Sequence, residues 1–370
     1  MKIVTVIGAR PQFIKAATVS RAISKHNNLY PQKKIEEFII HTGQHFDLNM
    51  SRIFFEQMQI PEPFCNLNIS NLSHGAMTGR MLEQIEKILL DKKPDLVLVY
   101  GDTNSTLAGA LAAKKLHIKL AHVEAGLRSF NMKMPEELNR ILTDRISDFL
   151  FCPTLQSVNN LKSEGFENFG GKIFNSGDVM FDAVCYYKQF ATPPYIFIQN
   201  KEILRNGFVL ATVHRAENTD ILEKIIIILD SLQKISCDIP VVFPVHPRTM
   251  QIIKNMKLDI TSNSLLLTDP VSYFETISLL ERCSLVMTDS GGLQKEAYFF
   301  KKPCLTLRDQ TEWIELLDTG VNQLVPIDKE TIISYFKKTI QKQLDFPDKL
   351  YGDGAAAAKI VHTLLTLVDK

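Results

Sequence analysis

Short apolar runs rich in Val, Ile, Leu and Phe recur along the chain, each stopping at small or polar residues before a stretch of helical spacing begins. The first five are Ile3 to Ala9, Phe38 to His41, Leu96 to Tyr100, Leu120 to Val123 and Phe149 to Cys152. An unbroken apolar run of that length predicts a strand covered on both faces. The intervening helical stretches supply the cover, so the pattern predicts βαβ units on a parallel sheet. Asp182 to Phe190 predicts a linking helix, and Ala191-Thr192-Pro193-Pro194 marks a boundary because paired prolines interrupt regular structure. A second series comes next: Phe208 to Val213, Val241 to Val245, Leu265 to Leu267, Leu285 to Thr288 and Cys304 to Leu307. Gly352-Asp353-Gly354 leads into four alanines, and these helix formers predict a terminal helix that continues through Lys359 to Val368.

A chain of 370 residues exceeds the usual size of one hydrophobic core. The expected fold is therefore α/β with two Rossmann-like domains facing a central cleft. The expected divisions are residues 1–180, residues 195–350 and a terminal helix within 351–370 that packs back on the first domain. The formal net charge is +1 with no single-sign block, which points away from nucleic acid and from an anionic membrane surface as partners. No apolar stretch approaches the roughly 20 residues of a membrane span, and the N-terminal run reads as a strand, not a signal peptide. The six cysteines form no C-x-x-C pair and read as reduced core thiols, so the expected compartment is the cytoplasm.

In open parallel sheets, ligands bind beyond the carboxyl ends of the strands, so the residues just past each predicted strand are the first candidates for chemistry. The first run delivers Gly8-Ala9-Arg10-Pro11, in which glycine allows a tight turn, Pro11 suits a helix start, and Arg10 is left at the helix mouth, where an anion fits. Leu96 to Tyr100 ends in Gly101-Asp102-Thr103, and Leu120 to Val123 ends in Glu124-Ala125-Gly126-Leu127-Arg128. Pro135-Glu136-Glu137 places further acids in the first turn of a helix. Singly, each has an ordinary reading: Asp102 as a cap, Glu136 and Glu137 as partners of the helix dipole. Together, and beside an apolar-flanked His122, they point to proton transfer.

The second half carries different chemistry. His214-Arg215-Ala216-Glu217-Asn218 and His246-Pro247-Arg248 come after predicted strands and offer donors to phosphate oxygens, although a histidine at a strand end is more often structural. Asp289-Ser290-Gly291-Gly292-Leu293-Gln294-Lys295-Glu296 is the sharper motif. Two glycines between strand and helix let backbone N–H groups approach an anion, so a diphosphate fits at Ser290, Gly291 and Gly292. Glu296, one turn on, suits a ribose diol, its ordinary reading being a solvent-facing acid. No D-x-D pair, H-E-x-x-H motif or G-x-G-x-x-G fingerprint occurs, so neither a metal nor NAD is expected. The charge of a leaving phosphate would fall to Arg10, His214 and backbone donors.

Taken in order, Gly8-Ala9-Arg10-Pro11, Thr42-Gly43-Gln44-His45, Gly101-Asp102-Thr103, His122-Val123-Glu124-Ala125-Gly126-Leu127-Arg128, Pro135-Glu136-Glu137-x-Asn139-Arg140, His214-Arg215-x-Glu217-Asn218, His246-Pro247-Arg248 and Asp289-Ser290-Gly291-Gly292 resemble the non-hydrolysing UDP-N-acetylglucosamine 2-epimerase family. The resemblance spans nearly the whole chain. It implies a glycosyltransferase-B type fold, an isomerase activity serving cell-surface polysaccharide precursors, UDP-sugar and UDP as ligands, and a homodimer. It also implies a mechanism: UDP leaves as the C2 proton is removed, giving a 2-acetamidoglycal, and adds back after protonation on the opposite face. Asp102, Glu124 and Glu136 then match proton-transfer positions. Arg10, His214, Ser290, Gly291 and Gly292 match diphosphate contacts, with His214 also in the catalytic set and Arg215, His246 and Arg248 among the substrate-binding groups. Glu296 matches the ribose-binding acid, while Lys15, Gln44 and His45 resemble positions near the sugar or near a second, regulatory UDP-sugar.

Two departures bear on substrate. Arg10-Pro11-Gln12 stands where the hexosamine branch tends to read Arg-Pro-Glu, and Arg308-Asp309-Gln310-Thr311-Glu312 where it reads Thr-Glu-Arg-Pro-Glu. With Arg128-Ser129-Phe130-Asn131-Met132, these variants resemble the branch acting on UDP-2,3-diacetamido-2,3-dideoxyglucuronate. Arg128, Lys133 and Arg308 are the cations expected to pair its carboxylate. A hydrolysing epimerase, a UDP-sugar transferase of the same fold and a non-catalytic nucleotide-sugar sensor remain open on sequence, although a sensor needs no acid cluster.

Overall fold

The computed structural model describes residues 1–44, 58, 60–202, 204–255 and 262–367, with the side chain of Arg248 also outside the description. The chain divides into two compact units: residues 1–183 with 349–370, and residues 184–348.

Unit 1 is built on seven parallel strands: β1 (Lys2–Ile7), β2 (Glu36–His41), β3 (Cys65–Asn66), β4 (Leu96–Tyr100), β5 (Lys119–Val123), β6 (Phe149–Cys152) and β7 (Lys172–Asn175). They lie in the order β3-β2-β1-β4-β5-β6-β7. All five residues of β4 are buried, as its apolar run requires for a central strand flanked by helices. Val4, Val6, Ile40, Val97 and Val99 pack against Met81, Ile85 and Leu89 of the helix His74–Lys92 and the alanines of the helix Asn104–Lys115. Each large side chain so buried contributes roughly 1.5–3 kcal/mol.

Unit 2 repeats the plan with β8 (Val209–Thr212), β9 (Val241–Pro244), β10 (Leu265–Thr268), β11 (Leu285–Thr288), β12 (Cys304–Thr306) and β13 (Asn322–Leu324), ordered β10-β9-β8-β11-β12-β13. Its helix Leu222–Ile235 buries Ile225, Ile228, Leu229, Leu232 and Ile235 against Val209, Val241 and Phe243, the one-sided stripe of an amphipathic helix. Both sheets reverse strand order at their first-formed strand, between β1 and β4 and between β8 and β11. These are the switch points at which doubly wound sheets open a crevice for ligands.

The linking helix runs Val179–Tyr187 and the division between units falls inside it, upstream of the Ala191 to Pro194 punctuation. The helix Ala356–Leu367 belongs to unit 1 and packs on the helix Arg10–Leu29. Its N-terminal N–H groups at Ala356 and Ala357 donate to the Asp182 carboxylate at 3.0 and 2.8 Å, and Asp178 N–H donates to Tyr351 O at 2.9 Å. Strands β3, β7 and β13 lie outside the predicted runs, and all three are sheet edges. An edge strand needs no continuous apolar run, so hydropathy alone passes over it. No helix among the described residues is long and apolar enough to cross a membrane.

Candidate active site

In unit 1 the chemistry gathers where β1, β4 and β5 end. Gly8 leaves β1 so close to its neighbours that a Cβ there would overlap the hydroxyls of Thr42 and Ser105. Arg10 comes next as the first residue of the helix Arg10–Leu29, partly exposed. Lys15, one turn further, is buried and paired with the Glu124 carboxylate, which lies just past β5. Glu124 holds a left-handed backbone at φ 74°, uncommon outside glycine and fixed here because Glu124 N–H and Ala125 N–H both donate to Phe151 O, at 3.0 and 3.1 Å. Backbone strain of this kind concentrates at functional positions.

Asp102 lies just past β4, where Arg140 Nη2 approaches Oδ2 at 2.6 Å and Asn139 Nδ2 donates to its carbonyl at 2.9 Å. Burial raises the Asp102 carboxyl above its ordinary value; Arg140 and Lys15 oppose the shift, and the negative charges of Glu124 and Glu136 add to it. A carboxyl so placed is drawn toward the range useful for proton transfer near neutral pH.

The helix Pro135–Ile146 divides its motif between two tasks. Glu137, Arg140 and Asp144 share its buried face, while Glu136 is exposed in the first turn. Glu137 accepts from Ser129 N–H, Ser129 Oγ and Phe130 N–H, each at 2.9 Å, and so clasps a loop in which Phe130 sits at φ 57°. Asp144 accepts from His122 Nδ1 at 2.7 Å, Arg128 Nη1 at 2.6 Å and Gly126 N–H at 3.1 Å. Burial alone would raise the Asp144 carboxyl, but His122 and Arg128 overcome it and hold it below its ordinary value. His122 Nε2 lies 2.7 Å from Gly101 O, so this buried chain ends on the backbone that carries Asp102.

Arg128 is buried, donates to Asp144 and to Leu127 O, and grips Glu164 with Nε at 2.6 Å and Nη2 at 2.9 Å. These bonds, all within unit 1, brace the scaffold. Gln44 is likewise engaged, its Oε1 accepting from Ser105 N–H at 3.1 Å and Ser105 Oγ at 2.7 Å at the start of the helix Asn104–Lys115. Lys133 is exposed, and His45 lies outside the described residues.

In unit 2 the organising residue is Asp289, fully buried after β11. Its carboxylate accepts from His214 N–H at 3.1 Å, Arg215 N–H at 3.0 Å and Asn218 Nδ2 at 3.1 Å, and His214 Nδ1 lies 3.3 Å away. The loop after β8 is thereby tied to the loop after β11, across the switch point. Ser290 caps the helix Gly291–Phe299, with its Oγ accepting from Leu293 N–H at 3.5 Å. Gly291 and Gly292 give that helix an N-terminus without side chains, and a Cβ at Gly291 would run into the Glu312 carboxylate. Glu296 is buried in the same helix.

His214 and Arg215 stand at the mouth of this helix region, and the His214 and His246 rings are tilted with centroids 6.3 Å apart. Arg248 lies in the helix Pro247–Asn255. Arg308 is buried between Glu217, with Nε at 3.4 Å, and Glu312, with Nη1 at 3.1 Å, so its charge is matched within unit 2. Among the described residues no group of three or more His, Cys, Asp or Glu side chains is arranged to hold a metal ion.

The supporting roles of Glu137, Arg140, Asp144 and Asp289 are not announced by a place at a strand end, although Glu137, Arg140 and Asp289 stand within motifs that the sequence singles out. The helical spacing of 137, 140 and 144 was the available signal for three of them. Asp289, the last residue before Ser290 and the glycine pair, carried a positional one.

Two units, each built on a parallel sheet of this order with polar side chains past its central strands, give an α/β fold of the glycosyltransferase-B type. The chain belongs to the UDP-N-acetylglucosamine 2-epimerase family, whose model matches residues 27–365. It is 53% identical over 368 residues to the UDP-2,3-diacetamido-2,3-dideoxy-D-glucuronate 2-epimerase of Pseudomonas aeruginosa, covering 99% of this chain and 100% of that one. It is 42% identical over 371 residues to the UDP-N-acetylglucosamine 2-epimerase of Methanocaldococcus jannaschii, covering 98% and 99%. The crystal structure of the M. jannaschii UDP-GlcNAc 2-epimerase with UDP-GlcNAc and UDP superimposes with a TM-score of 0.87 at 41% identity, covering 99% and 100% of the two chains. That of the Neisseria meningitidis enzyme bound to UDP-GlcNAc gives 0.86 at 32% identity, covering 99% and 100%.

Proposed function

We infer that this UDP-sugar 2-epimerase, an isomerase, works by elimination and re-addition. A carboxylate of unit 1 takes the proton from C2, the C1–O bond to UDP breaks, and the electron pair becomes the C1–C2 double bond of a 2-acetamidoglycal. A second acid returns a proton to the opposite face of C2, and UDP re-forms its bond at C1. The supporting observation is the pair of strand-end carboxylates, Asp102 and Glu124, set beside Lys15 and Arg140 at the β1/β4 switch point. Glu136 is the third candidate. Inversion requires proton access to both faces, and therefore more than one acid–base group. Unit 2 is proposed to hold UDP: the diphosphate on the Ser290-Gly291-Gly292 helix start with His214 and Arg215, and the ribose on Glu296.

The preferred substrate is UDP-2,3-diacetamido-2,3-dideoxyglucuronate. The 53%-identical relative and the departures at Gln12 and Arg308 to Glu312 support this. With Arg128 and Arg308 already matched by carboxylates of their own units, Lys133 is the exposed candidate for the sugar carboxylate. The enzyme is further proposed to be a cytoplasmic homodimer; six cysteines outside any disulfide are in keeping with that compartment, and light scattering tests the dimer.

The discriminating experiment incubates UDP-2,3-diacetamido-2,3-dideoxyglucuronate and UDP-N-acetylglucosamine separately in heavy water and follows C2 by proton NMR. Deuterium at C2 in two nucleotide-sugar epimers is expected, faster with the uronate. Free UDP with free sugar would establish hydrolysis, absence of exchange would remove the mechanism, and equal turnover of both sugars would remove the substrate assignment. Asp102→Asn and Glu124→Gln should each lower exchange by about 10²- to 10⁴-fold with UDP binding retained.

A further inference from the structure

Gln12 is 1% exposed and every hydrogen-bonding position of its amide faces a partner from another part of the β1/β4 junction. Its Oε1 accepts from Gly8 N–H at 2.8 Å and Ala9 N–H at 3.0 Å, the two residues that lead to Arg10. Its Nε2 donates to Tyr100 O at 2.7 Å and Thr106 Oγ1 at 2.9 Å. The Thr106 hydroxyl spends its own proton on the same Tyr100 carbonyl, at 2.7 Å, and so meets Gln12 as an acceptor. One side of the pocket is made of donors and the other of acceptors. A neutral amide, with a carbonyl at one end and an N–H₂ at the other, matches both without a charge.

The geometry points to Gln12 as a positioning residue for the epimerase reaction: its amide cross-braces the end of β1, which carries Arg10, to the end of β4, which carries Asp102. The brace ties the anion-facing loop to the proton-transfer loop at one separation, so loosening it moves reacting groups without removing any of them. This reading rests on Asp102 acting in proton transfer.

A glutamate at position 12 has nearly the same shape and makes the test sharp. Ionised, it keeps the bonds from Gly8 and Ala9 but sets a second charged oxygen against the Tyr100 carbonyl. Protonated, it has one O–H where the amide has two N–H, and restores the bond to the Tyr100 carbonyl. Gln12→Glu should therefore introduce one new titration, with activity rising as pH falls. Around the junction stand Arg10 and Lys15 on the helix of Gln12, His41 at the end of β2, Tyr100 and Asp102 at β4, and Glu124 at β5. All of these are present in wild type as well, so the new step is read from the ratio of variant to wild-type rates.

The experiment measures C2 deuterium exchange and melting temperature from pH 5.5 to 9, a range of about three and a half units chosen around neutrality, for wild type, Gln12→Glu, Thr106→Val and Thr106→Ser. Gln12→Glu is expected to lose about 10- to 100-fold in kcat at the alkaline end and to recover toward the acid end, the size expected for misplaced reacting groups. Its melting temperature relative to wild type should follow the same direction, so a variant that folds poorly at high pH still reports. Thr106→Ser should retain activity and Thr106→Val lose it. A constant variant-to-wild-type ratio at all pH values, in both rate and melting, would overturn the brace, as would equal activity of Thr106→Val and Thr106→Ser. Loss of exchange in wild type itself would instead remove the underlying proton-transfer reading.

Discussion

Removing the Asp144 carboxylate tests the buried chain that runs from Glu164 through Arg128, Asp144 and His122 to Gly101 O. Asp144→Ala leaves Arg128 with only Glu164 as a counter-charge and strips His122 and Gly126 of an acceptor. Breaking a buried ion pair in this way costs about 3–5 kcal/mol. Asp144→Asn is milder for a structural reason. The amide oxygen keeps Arg128 and Gly126, and its N–H₂ meets His122 Nδ1, where a neutral ring protonated on Nε2 still holds Gly101 O. Only the charge is lost, a change of about 1–3 kcal/mol for bonds that had been charge-assisted. The single tryptophan, Trp313, lies in unit 2 and is blind to this site. The assay is therefore urea unfolding read by hydrogen exchange in peptides of β4 to β6. Equal losses in the two variants, or a loss below about 1 kcal/mol in Asp144→Ala, would refute the reasoning. There is a pH signature as well. Because Asp144 is held below its ordinary value, its stabilisation is present above the unfolded value near ~4 and fades as pH falls through the folded one. The gap between wild type and Asp144→Asn should accordingly narrow in acid.

Gly8→Ala forces a methyl group onto the hydroxyls of Thr42 and Ser105 and should cost about 1–3 kcal/mol in unit 1, measured by the same exchange; unchanged protection would show that the strand end yields. In Asp289→Asn the amide oxygen can take the Oδ2 place, where His214 N–H, Arg215 N–H and Asn218 Nδ2 all donate, but the charge is lost and an N–H₂ then stands on the Oδ1 side against His214 N–H at 3.2 Å. The substitution should destabilise unit 2 by about 1.5–3 kcal/mol in Trp313 fluorescence and weaken UDP binding in calorimetry; wild-type affinity would detach this carboxylate from the nucleotide site.

The central strands were legible because burial on both faces leaves an unbroken apolar run, as in β1, β4 and β8. The edges β3, β7 and β13 were not, since half-exposed strands carry mixed residues. Arg10, Asp102 and Glu124 were legible from their position just past a strand's carboxyl end, a rule that rests on the geometry of parallel sheets. The same rule singles out Arg128 and Arg308 but is silent on the carboxylates they pair with, which come from elsewhere in the chain. Glu164 lies 36 residues from Arg128, and no local spacing announces such a partner. Gln12 showed the reverse: a departure first noticed for its bearing on substrate proved to be a fully engaged amide at the switch point.

The return of residues 349–367 to unit 1 has a consequence for biosynthesis. Unit 2 is drawn from one uninterrupted stretch, so a ribosome delivers everything it needs in a single pass. The first unit emerges earlier yet stays unfinished. Asp182 lacks the helix it caps, and one face of the helix Arg10–Leu29 lacks its cover, until translation has passed through the whole of unit 2. The order of synthesis and the order of completion are thus opposed, and the nascent N-terminal half is the part of the molecule with the longest need of protection from aggregation.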